Sequence, residues 1–301
     1  MIYTLTLNPS IDYIMHINEF EDGKTIRSLE EAKYPGGKGI MVSKLLKNLD
    51  EESINLGFIG GFTGDFIANS LKEMDIKEDF VRVSDDTRIN VKLKYQNETE
   101  VNAGGPQISN EEAERLLRQI NSLEENSILI MSGSAPRSLG NDYYKKILEN
   151  RDHNFTLDIS GKEILDYLKY EPILVKPNKD ELSDIFDVEI NSDNIRYYAK
   201  KLNDLGAKNV IISMGSEGSI FIDDKECLKA YPIDGELINS VGAGDSMVGG
   251  FIFGISHGLS KLESYKLAVA CGTATAFSKD IASKGKIEEI LKEVKVEEYG
   301  N

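Results

Sequence analysis

The sequence predicts an α/β fold with a doubly wound, mostly parallel sheet, helices on both faces of that sheet and a small β-sheet lid. Two observations predict the main sheet: short apolar, β-branched runs recur along the chain, and stretches of helical periodicity separate them. Near-continuously apolar strands joined by helices are typical of a parallel sheet covered on both sides. The third observation is that two segments interrupt this alternation, which predicts the lid.

Six short apolar runs are the predicted strands of the main sheet, at residues 2–7, 54–59, 127–131, 155–159, 172–175 and 209–213. Apolar residues recur with a helical period between them, which predicts helices at 39–49, 66–74, 111–121, 143–149 and 195–205. The last third of the chain is predicted to be mainly helical, at 244–258, 261–278 and 287–294.

The two segments without strand–helix alternation, at about 9–34 and 86–102, are predicted to form the lid. Residues 88–95 (RINVKLKY) alternate apolar and polar side chains, which indicates a strand with one covered face and one wet or ligand-facing face. Edge hairpins of the main sheet are the alternative interpretation. No linker or repeat divides the chain, so residues 1–301 are predicted to form one domain that carries the lid.

Composition and net charge exclude several classes of protein. Hydrophobic residues make up 40% and charged residues 29% of the 301 residues, as in ordinary globular proteins. A net charge of −16 leaves no basic face, so no nucleic-acid partner is expected. The longest apolar stretch, at 243–255, is too short to span a membrane and contains Asp245. Because no signal peptide is present and Cys227 and Cys271 are far apart, a cytoplasmic protein without disulfides or zinc is expected.

Segment 239–250 (NSVGAGDSMVGG) is the most informative part of the sequence. Gly242, Ala243 and Gly244 stand before an apolar helix, where consecutive backbone N–H groups can hold an anion. Asp245 follows in the first turn. A carboxylate repels an anion beside it, so its presence suggests a base that takes a proton from an attacking hydroxyl group. The alternative is an ordinary helix start, with an Asp favoured by the helix dipole and glycines that serve packing.

A second glycine-rich turn, at 34–46 (YPGGKGIMVSKLL), also precedes a predicted helix. Its glycines, among them Gly37, allow close approach to the backbone, and Lys38 supplies a cation. Such turns are also common without any ligand. This one is not a Walker loop, because Lys38 is followed by Gly39 instead of Ser or Thr. A nucleotide site in this chain is therefore of another kind.

Two further motifs, at 176–182 (KPNKDEL) and 213–218 (SMGSEG), directly follow predicted strands. Ligands of doubly wound sheets bind at the carboxyl ends of the strands. Asn178 and Glu181 are three residues apart at a helix start, so both can face one metal-bound phosphate or water, as Mg²⁺ prefers oxygen ligands. Gly215 and Gly218 would admit a nucleotide close to the backbone. Each motif alone also fits an ordinary cap or turn.

Other chemistries lack their residues. His16, His153 and His257 are scattered, so neither a zinc-protease motif nor a histidine-based triad is present. The sequence contains no G-x-S-x-G elbow, and no G-x-G-x-x-G follows the first predicted strand. A nicotinamide-dependent dehydrogenase is therefore disfavoured.

Seven motifs occur in order along the chain: TLNPSID (6–12), PGGKG (35–39), TRINVKL (87–93), SGSAP (132–136), KPNKDEL, SMGSEG and SVGAGDSM (240–247). Together they resemble the ribokinase-like (PfkB-type) sugar kinases, and specifically the phosphosugar branch that contains 1-phosphofructokinases and tagatose-6-phosphate kinases. The resemblance spans essentially the whole chain. The opening MIYTLTLNPSIDY and the TRINVKL segment are more similar to the former.

The resemblance implies a role for each motif. Asp245 is expected to be the catalytic base, beside an anion hole for the transferred phosphoryl group at Gly242, Ala243 and Gly244. Asn178 and Glu181 are expected to organise Mg²⁺, through water, and the nucleotide phosphates. Expected nucleotide contacts are Lys176, Asn178, Ser213, Gly215, Gly218, Gly244 and Gly272. Expected sugar-phosphate contacts are Asp12, Gly37, Lys38, Arg88, Asn90 and Ser132.

The reaction implied by the resemblance is phosphorylation of fructose 1-phosphate at its 6-hydroxyl group by ATP, with Mg²⁺ and closure of the lid. Tagatose 6-phosphate is the alternative substrate. A catalytically silent sugar-phosphate-binding protein on the same fold is the alternative from another class. A monovalent-cation requirement and a homodimer formed through the lid stay open at this point.

One position inside a motif departs from the family. Met41 stands two residues after GGKG, where relatives usually have an Asn that hydrogen-bonds sugar hydroxyl groups. A thioether cannot replace that hydrogen bond. Met41 is therefore expected either to face the sugar and weaken its binding, or to pack between helix and sheet.

Overall fold

The structure is a computed structural model that describes residues 1–140, 142–149, 151 and 153–300. The strands are β1 (Ile2–Thr6), β2 (Ser10–His16), β3 (Glu30–Gly36), β4 (Ser53–Gly60), β5 (Lys77–Glu78), β6 (Val81–Val83), β7 (Arg88–Lys94), β8 (Glu98–Val101), β9 (Ile128–Ser132), β10 (Asn154–Asp158), β11 (Leu174–Val175), β12 (Val210–Ser213), β13 (Ser219–Ile222), β14 (Cys227–Ala230) and β15 (Val296–Glu298). The helices are α1 (Lys38–Asn48), α2 (Gly61–Glu73), α3 (Asn110–Asn121), α4 (Tyr143–Glu149), α5 (Ile164–Tyr167), α6 (Lys179–Phe186), α7 (Ile195–Asp204), α8 (Ala243–Ser256), α9 (Lys261–Ala276) and α10 (Lys284–Leu291).

The main sheet has the strand order β15-β14-β13-β12-β11-β10-β9-β1-β4-β5, and β6 also pairs with β4. Neighbouring strands from β5 to β12 in this order are parallel, as predicted. Strands β13, β14 and β15 form an antiparallel edge that the sequence pattern did not predict. Short turns join β12 to β13 and β13 to β14, and such turns permit only antiparallel pairing.

Both faces of the main sheet are buried, and strand β9 shows this directly. Leu129 and Met131 pack in the cluster that includes residues of α3, α4, α6 and α7. Ile130, which points to the opposite face, packs with residues of α1, α8 and α9. Because successive residues of a strand point to opposite faces, neighbouring side chains at the end of a strand face different helix layers. Among the described helices, none is both long and apolar enough to cross a membrane.

Helix α2 begins at Gly61, five residues before the predicted start at 66. The sequence hides this start because glycine has a low helix propensity. Tertiary contacts stabilise it: the Thr63 hydroxyl group donates to the Thr87 carbonyl oxygen at 2.7 Å. Gly64 lies so close to β4 that an added Cβ would be 3.1 Å from Ile59. The other predicted strands and helices are present with smaller shifts at their ends.

Four strands form a separate small sheet with the order β3-β2-β7-β8. Strands β2 and β7 pair in parallel and so join two segments that are distant in the sequence. The alternative of edge hairpins on the main sheet is therefore wrong. The first segment extends to Gly36, two residues beyond the predicted bound. Strand alternation places Asp12, Asn90 and Lys92 on one face of this sheet.

Candidate active site

The carboxyl ends of three adjacent parallel strands place Thr6, Ser132 and Asp158 side by side. Thr6 pairs in register with Ser132, and Ser132 pairs with Asp158. All three residues are buried, on the face of the sheet that α1 and α8 cover. Thr6 Oγ1, Ser132 Oγ and Asp158 Oδ2 have no hydrogen-bond partner among the described residues. Buried oxygens of this kind usually bind a ligand or water, so the row indicates a polar site at the sheet edge.

Helix α1 brings a lysine to this row. Gly37 has a φ of 134°, which only glycine adopts readily, and it connects the small sheet to the helix. An added Cβ on Gly39 would lie 2.5 Å from Thr6 Oγ1, so the glycine allows the helix to touch β1. Lys38 Nζ consequently lies 3.3 Å from Asp158 Oδ1 and 3.8 Å from Glu181 Oε1. The predicted cation of the glycine-rich turn therefore lies at the strand ends.

Asp158 has a second cationic partner, Lys176, which follows β11. Lys176 is 5% exposed, and its Nζ lies 3.4 Å from Asp158 Oδ1. Burial raises the pKa of the Asp158 carboxyl group, but Lys176 and Lys38 lower it by more, so the net shift is downward. Burial likewise lowers the pKa of Lys38, and Asp158, Asp245 and Glu181 raise it by more. Asp158 and Lys38 are therefore both charged near neutral pH.

Asp245 lies in the first turn of α8, beside these charges. Gly242, at the helix N-cap, has a φ of 79°. An added Cβ on Gly244 would lie 3.0 Å from Lys176 Nζ, so Lys176 and the start of α8 are close neighbours. Asp245 is 8% exposed. Burial and the negative charge of Asp158 raise the pKa of Asp245 to about 7, although Lys38 and Lys176 lower it.

The arrangement suits proton transfer next to an anion. Two neighbouring carboxyl groups whose pKa values are shifted in opposite directions can take different roles, one a permanent charge and one a base. A base is most effective when its pKa lies near the working pH, as that of Asp245 does. The free backbone N–H groups at the start of α8 form the positive end of the helix dipole, where an anion is stabilised.

Asn178 and Glu181 form a capping box at the start of α6. Asn178 Oδ1 accepts from the Glu181 backbone N–H at 2.7 Å, and Glu181 Oε2 accepts from the Asn178 N–H at 2.8 Å. The cap interpretation is therefore correct for both side chains. The second Glu181 oxygen, Oε1, accepts from the Ser160 hydroxyl group at 3.1 Å and faces Lys38. Only this oxygen is directed to the strand-end site.

The predicted nucleotide-side glycines differ in their surroundings. Gly215 has a φ of 56° and open space where a Cβ would be. At Gly218 an added Cβ would lie 2.1 Å from the Ala230 carbonyl oxygen, and at Gly272 it would lie 2.5 Å from Met247 Cγ. Close packing thus explains Gly218 and Gly272 without a ligand. Ser213 ends β12 and forms a bridge with Asn178, so this motif adjoins the α6 cap.

The small sheet holds the predicted sugar-side residues together. Asp12 Oδ1 accepts from the Ser10 hydroxyl group at 2.8 Å and from Asn90 Nδ2 at 3.2 Å. Arg88 donates through its Nε and Nη1 to the backbone carbonyl groups of Asn8 and Ala103, at 3.1 and 3.0 Å. The guanidinium group therefore joins the loop after β1 to the segment after β8.

Met41 packs between apolar clusters. It contacts the cluster that includes Ile281 and the one that includes Ile40. An added Cβ on Gly242 would lie 3.8 Å from Met41 Cγ, so the side chain also borders the start of α8. These contacts favour packing over a place beside the sugar.

Sequence reasoning missed Asp158 and Lys92. Asp158 was assigned only to a predicted strand, although a carboxylate at the carboxyl end of an apolar run was a usable signal. Lys92 was hidden in the alternation of residues 88–95, and only strand register shows that it lies beside Asp12 and Glu100.

The residues suit a divalent cation bound through water and not by a protein cage. In the part of the chain that the structure describes, no three His, Cys, Asp or Glu residues are grouped to hold a metal ion. Asp158 Oδ2 has no hydrogen-bond partner among the described residues. Lys38 contacts both Asp158 and Glu181, so the two carboxylates lie close to each other. Mg²⁺ keeps several waters and binds one or two carboxylates plus substrate phosphates, so this sparse oxygen set fits it.

Comparison with known proteins decides the family. The sequence profile described as pfkB family carbohydrate kinase matches residues 5–285. The chain belongs to this family. As a pfkB family kinase it uses ATP and phosphorylates an alcohol group, and the fold is ribokinase-like.

Relatives with known names match nearly the whole length of the chain. The 1-phosphofructokinase of Bacillus subtilis (strain 168) is 46% identical over 98% of this pfkB chain and 99% of its own length. The D-tagatose-1-phosphate kinase of Bacillus licheniformis is 35% identical, with 98% and 99% covered. The crystal structure of a proposed phosphofructokinase from Staphylococcus aureus is 44% identical, has a TM-score of 0.87 and covers 99% of this chain and 98% of that one.

Escherichia coli phosphofructokinase-2 is a structural neighbour with lower sequence identity. Its complex with potassium is 27% identical, has a TM-score of 0.91 and covers 97% of this chain and 98% of that one. The same enzyme has also been solved as a tetrameric inhibited form.

Proposed function

We propose that this protein transfers the γ-phosphoryl group of ATP to the 6-hydroxyl group of fructose 1-phosphate, giving fructose 1,6-bisphosphate and ADP. The observation that carries the proposal is Asp245, a buried carboxyl group with a pKa of about 7 at the start of α8. The relative with 46% identity, a 1-phosphofructokinase, supports this sugar over tagatose phosphates.

The chemistry follows from the positions of the charged groups. Asp245 accepts the proton of the 6-hydroxyl group as its oxygen bonds to the γ-phosphorus. The bond from that phosphorus to the β–γ bridging oxygen breaks, and its electron pair leaves with ADP. The amides of Gly242, Ala243 and Gly244 stabilise the negative charge on the transferred group, with Lys176 beside them. Mg²⁺, when bound with the nucleotide through Asp158, Glu181 and water, supplies further positive charge.

Asp158 is proposed to act on the other charged groups. Its carboxylate lies between Lys38 and Lys176 and so holds both ammonium groups at the strand ends. Its charge also keeps the proton affinity of Asp245 high enough for proton transfer near neutral pH.

The small sheet is proposed to close over the sugar and exclude water. Asp12 and Asn90 would bind sugar hydroxyl groups, with Gly37 and Ser132 near the body of the site. Lys38 and Arg88 supply positive charge for the substrate phosphate, and Ser213 and Gly215 border the nucleotide. Burial lowers the pKa of Arg88, and the negative charge of Asp12 offsets only part of that shift, so a substrate phosphate would stabilise the guanidinium group further.

An ADP-release assay tests the proposed function. Fructose 1-phosphate, fructose 6-phosphate, tagatose 1-phosphate and tagatose 6-phosphate are compared at equal concentrations with Mg²⁺ and ATP. We expect the highest kcat/KM for fructose 1-phosphate. A higher value for tagatose 6-phosphate would make the alternative substrate correct, and no ADP with any sugar would make the protein a silent binder. Omitting Mg²⁺, or replacing K⁺ by a large organic cation, tests both ion requirements.

We further propose a homodimer formed through the apolar face of the small sheet. Ile89 and Val101 lie on the face opposite to Asp12, and they are 39% and 59% exposed. Light scattering should give twice the monomer mass, and Val101→Lys should give the monomer. A wild-type monomer would contradict this. The cytoplasmic location, and the lack of nucleic-acid and membrane partners, stay predictions.

A further inference from the structure

Lys92 is a buried cation that the catalytic site does not explain. It lies on β7 and is 8% exposed. Its Nζ lies 3.4 Å from Asp12 Oδ2 and 3.1 Å from Glu100 Oε1. Burial lowers the pKa of Lys92, but the two carboxylates raise it by more, so the ammonium group is charged. A lysine this buried is tolerated only when its charge is paired.

The contacts of Lys92 complete the environment of Asp12. One Asp12 oxygen, Oδ1, accepts from Ser10 and Asn90, while Oδ2 faces Lys92. An added Cβ on Gly36 would lie 2.5 Å from Asp12 Oδ1, so the carboxylate also rests against the chain that enters α1. Oδ1 thus accepts from two donors, whereas Oδ2 faces one, so a lone pair of Oδ2 is available to accept from a hydroxyl group.

We infer that Lys92 is a positioning residue for the sugar site: through Asp12 Oδ2 it orients the carboxylate that accepts hydrogen bonds from the sugar hydroxyl groups. Lys92 bridges Asp12 on β2 to Glu100 on β8, across three strands of the small sheet. The ammonium group therefore also ties the edge strand of that sheet to Asp12. The inference rests on the proposed function, since it assumes that Asp12 binds the sugar.

Lys94 provides a matched control on the same strand and the same face. It is also ion-paired, with Glu98, but it lies two residues further from Asp12. Lys92→Met removes the ammonium group and keeps most of the side-chain volume. Lys94→Met makes the same change at a lysine that is paired with Glu98 and not with Asp12. Glu100→Gln removes the other partner of Lys92 and leaves its contact with Asp12.

The test is a double-mutant cycle in kcat/KM for fructose 1-phosphate, with the KM for ATP measured in parallel. Lys92→Met should lower kcat/KM for the sugar about tenfold or more, as expected for one lost charge-assisted contact. In Lys92→Met the KM for ATP should change less than about threefold. In Lys94→Met and Glu100→Gln, kcat/KM for the sugar should also change less than about threefold, as expected for the loss of an exposed ion pair. In an Asp12→Asn background, Lys92→Met should have little further effect, because its effect passes through the carboxylate.

Additive effects of the two substitutions, or equal loss in Lys94→Met, would overturn the inference. Lys92→Arg keeps the charge and should retain most of the sugar affinity, which a purely steric role would not predict. If Lys92→Met does not fold, the cycle is run with Lys92→Gln. The wild-type assay tests the proposed function separately. If another sugar phosphate is the substrate, the same cycle is measured with that sugar.

Discussion

Lys38 Nζ lies 3.3 Å from the carboxylate of Asp158, which is itself buried at the end of β10. This ion pair joins the segment that leaves the small sheet to the centre of the main sheet. Lys176 shares the same Asp158 oxygen at 3.4 Å. Burial and the negative charge of Asp158 raise the pKa of Asp245, and the two ammonium groups limit that rise, so the pKa reaches about 7.

Asp245→Asn should lower kcat about 10²–10⁴-fold, because the variant has no base. ATP binding and the fold should be preserved. The matched control is Asp223→Asn, since Asp223 is also buried and is paired with Lys261, and it follows the antiparallel strand β13, whose end lies at the opposite edge of the sheet. The control should cost stability and leave kcat nearly unchanged. More than a tenth of wild-type kcat in Asp245→Asn would show that Asp245 is not the base.

The pH dependence of kcat should follow the ionisation of Asp245. Activity should rise with pH through about 7 and then level off, because only the carboxylate accepts a proton. Asp158→Asn removes a negative charge that raises this pKa, so the midpoint should move to lower pH. Rate profiles of the two proteins from pH 5 to 9 provide the comparison. An unchanged midpoint would contradict the coupling of the two carboxyl groups.

The raised pKa of Asp245 also predicts how the stability of the protein depends on pH. The pKa of Asp245 is about 7 in the folded protein and 3.8 for an ordinary Asp. At pH values between these two pKa values, the folded protein keeps a proton that the unfolded chain has lost. Stability therefore falls as the pH rises, until the pH reaches about 7. Asp245→Asn should therefore stabilise the protein by a few kcal/mol at pH 8, about 1.4 kcal/mol for each unit of the shift, and by much less at pH 4. Equal shifts in melting temperature at both pH values would argue against a raised pKa.

Arg88→Ala should lower kcat/KM for the sugar at least tenfold, on the scale of about 1.5–3 kcal/mol for a hydrogen bond from a charged group. The substitution removes the cation and frees the carbonyl groups of Asn8 and Ala103, which border the small sheet. The KM for ATP should change little. Arg82→Ala is the control, because Arg82 forms an exposed ion pair with Asp65 and should be nearly neutral. A rise of equal size in both Michaelis constants would contradict the placement of Arg88 on the sugar side.

Met41→Asn should lower the melting temperature without improving sugar binding. The amide would replace a thioether between apolar clusters, and burying it without partners costs about 1–3 kcal/mol. Met41→Leu conserves volume and should cost less than about 1.5 kcal/mol. A several-fold lower sugar KM in Met41→Asn, at an unchanged melting temperature, would instead place this side chain beside the sugar.

Much of the fold was predictable, because periodicity reports burial and burial dominates this architecture. The six predicted strands of the main sheet and the separate small sheet are present. The antiparallel edge was not predicted, because four-residue strands such as β13 carry too little pattern to separate from loops. The start of α2 was missed for another reason: its contacts with Thr87 and Ile59 are tertiary.

Some residues of the candidate site have a local signal in the sequence, and others do not. Asp245 and Lys38 were found because glycines next to a charged residue at a helix start leave a local signal. Asp158 is paired with Lys38 of α1 and with Lys176 after β11, and Lys92 is paired with residues of two other strands. Such contacts between distant segments are invisible in one sequence. Arg88 was assigned to the right sheet, but its carbonyl partners depend on loop conformation.

Strand β3 ends at Gly36 and helix α1 begins at Lys38, so a single residue separates the small sheet from the ammonium group beside Asp158. Gly37 has a φ of 134°, and an added Cβ would lie 2.7 Å from Thr6 Cγ2, so no other residue fits this connection without strain. A substitution such as Gly37→Ala therefore disturbs both neighbours at once: the end of β3 in the small sheet, and the contact of Lys38 with Asp158 in the main sheet.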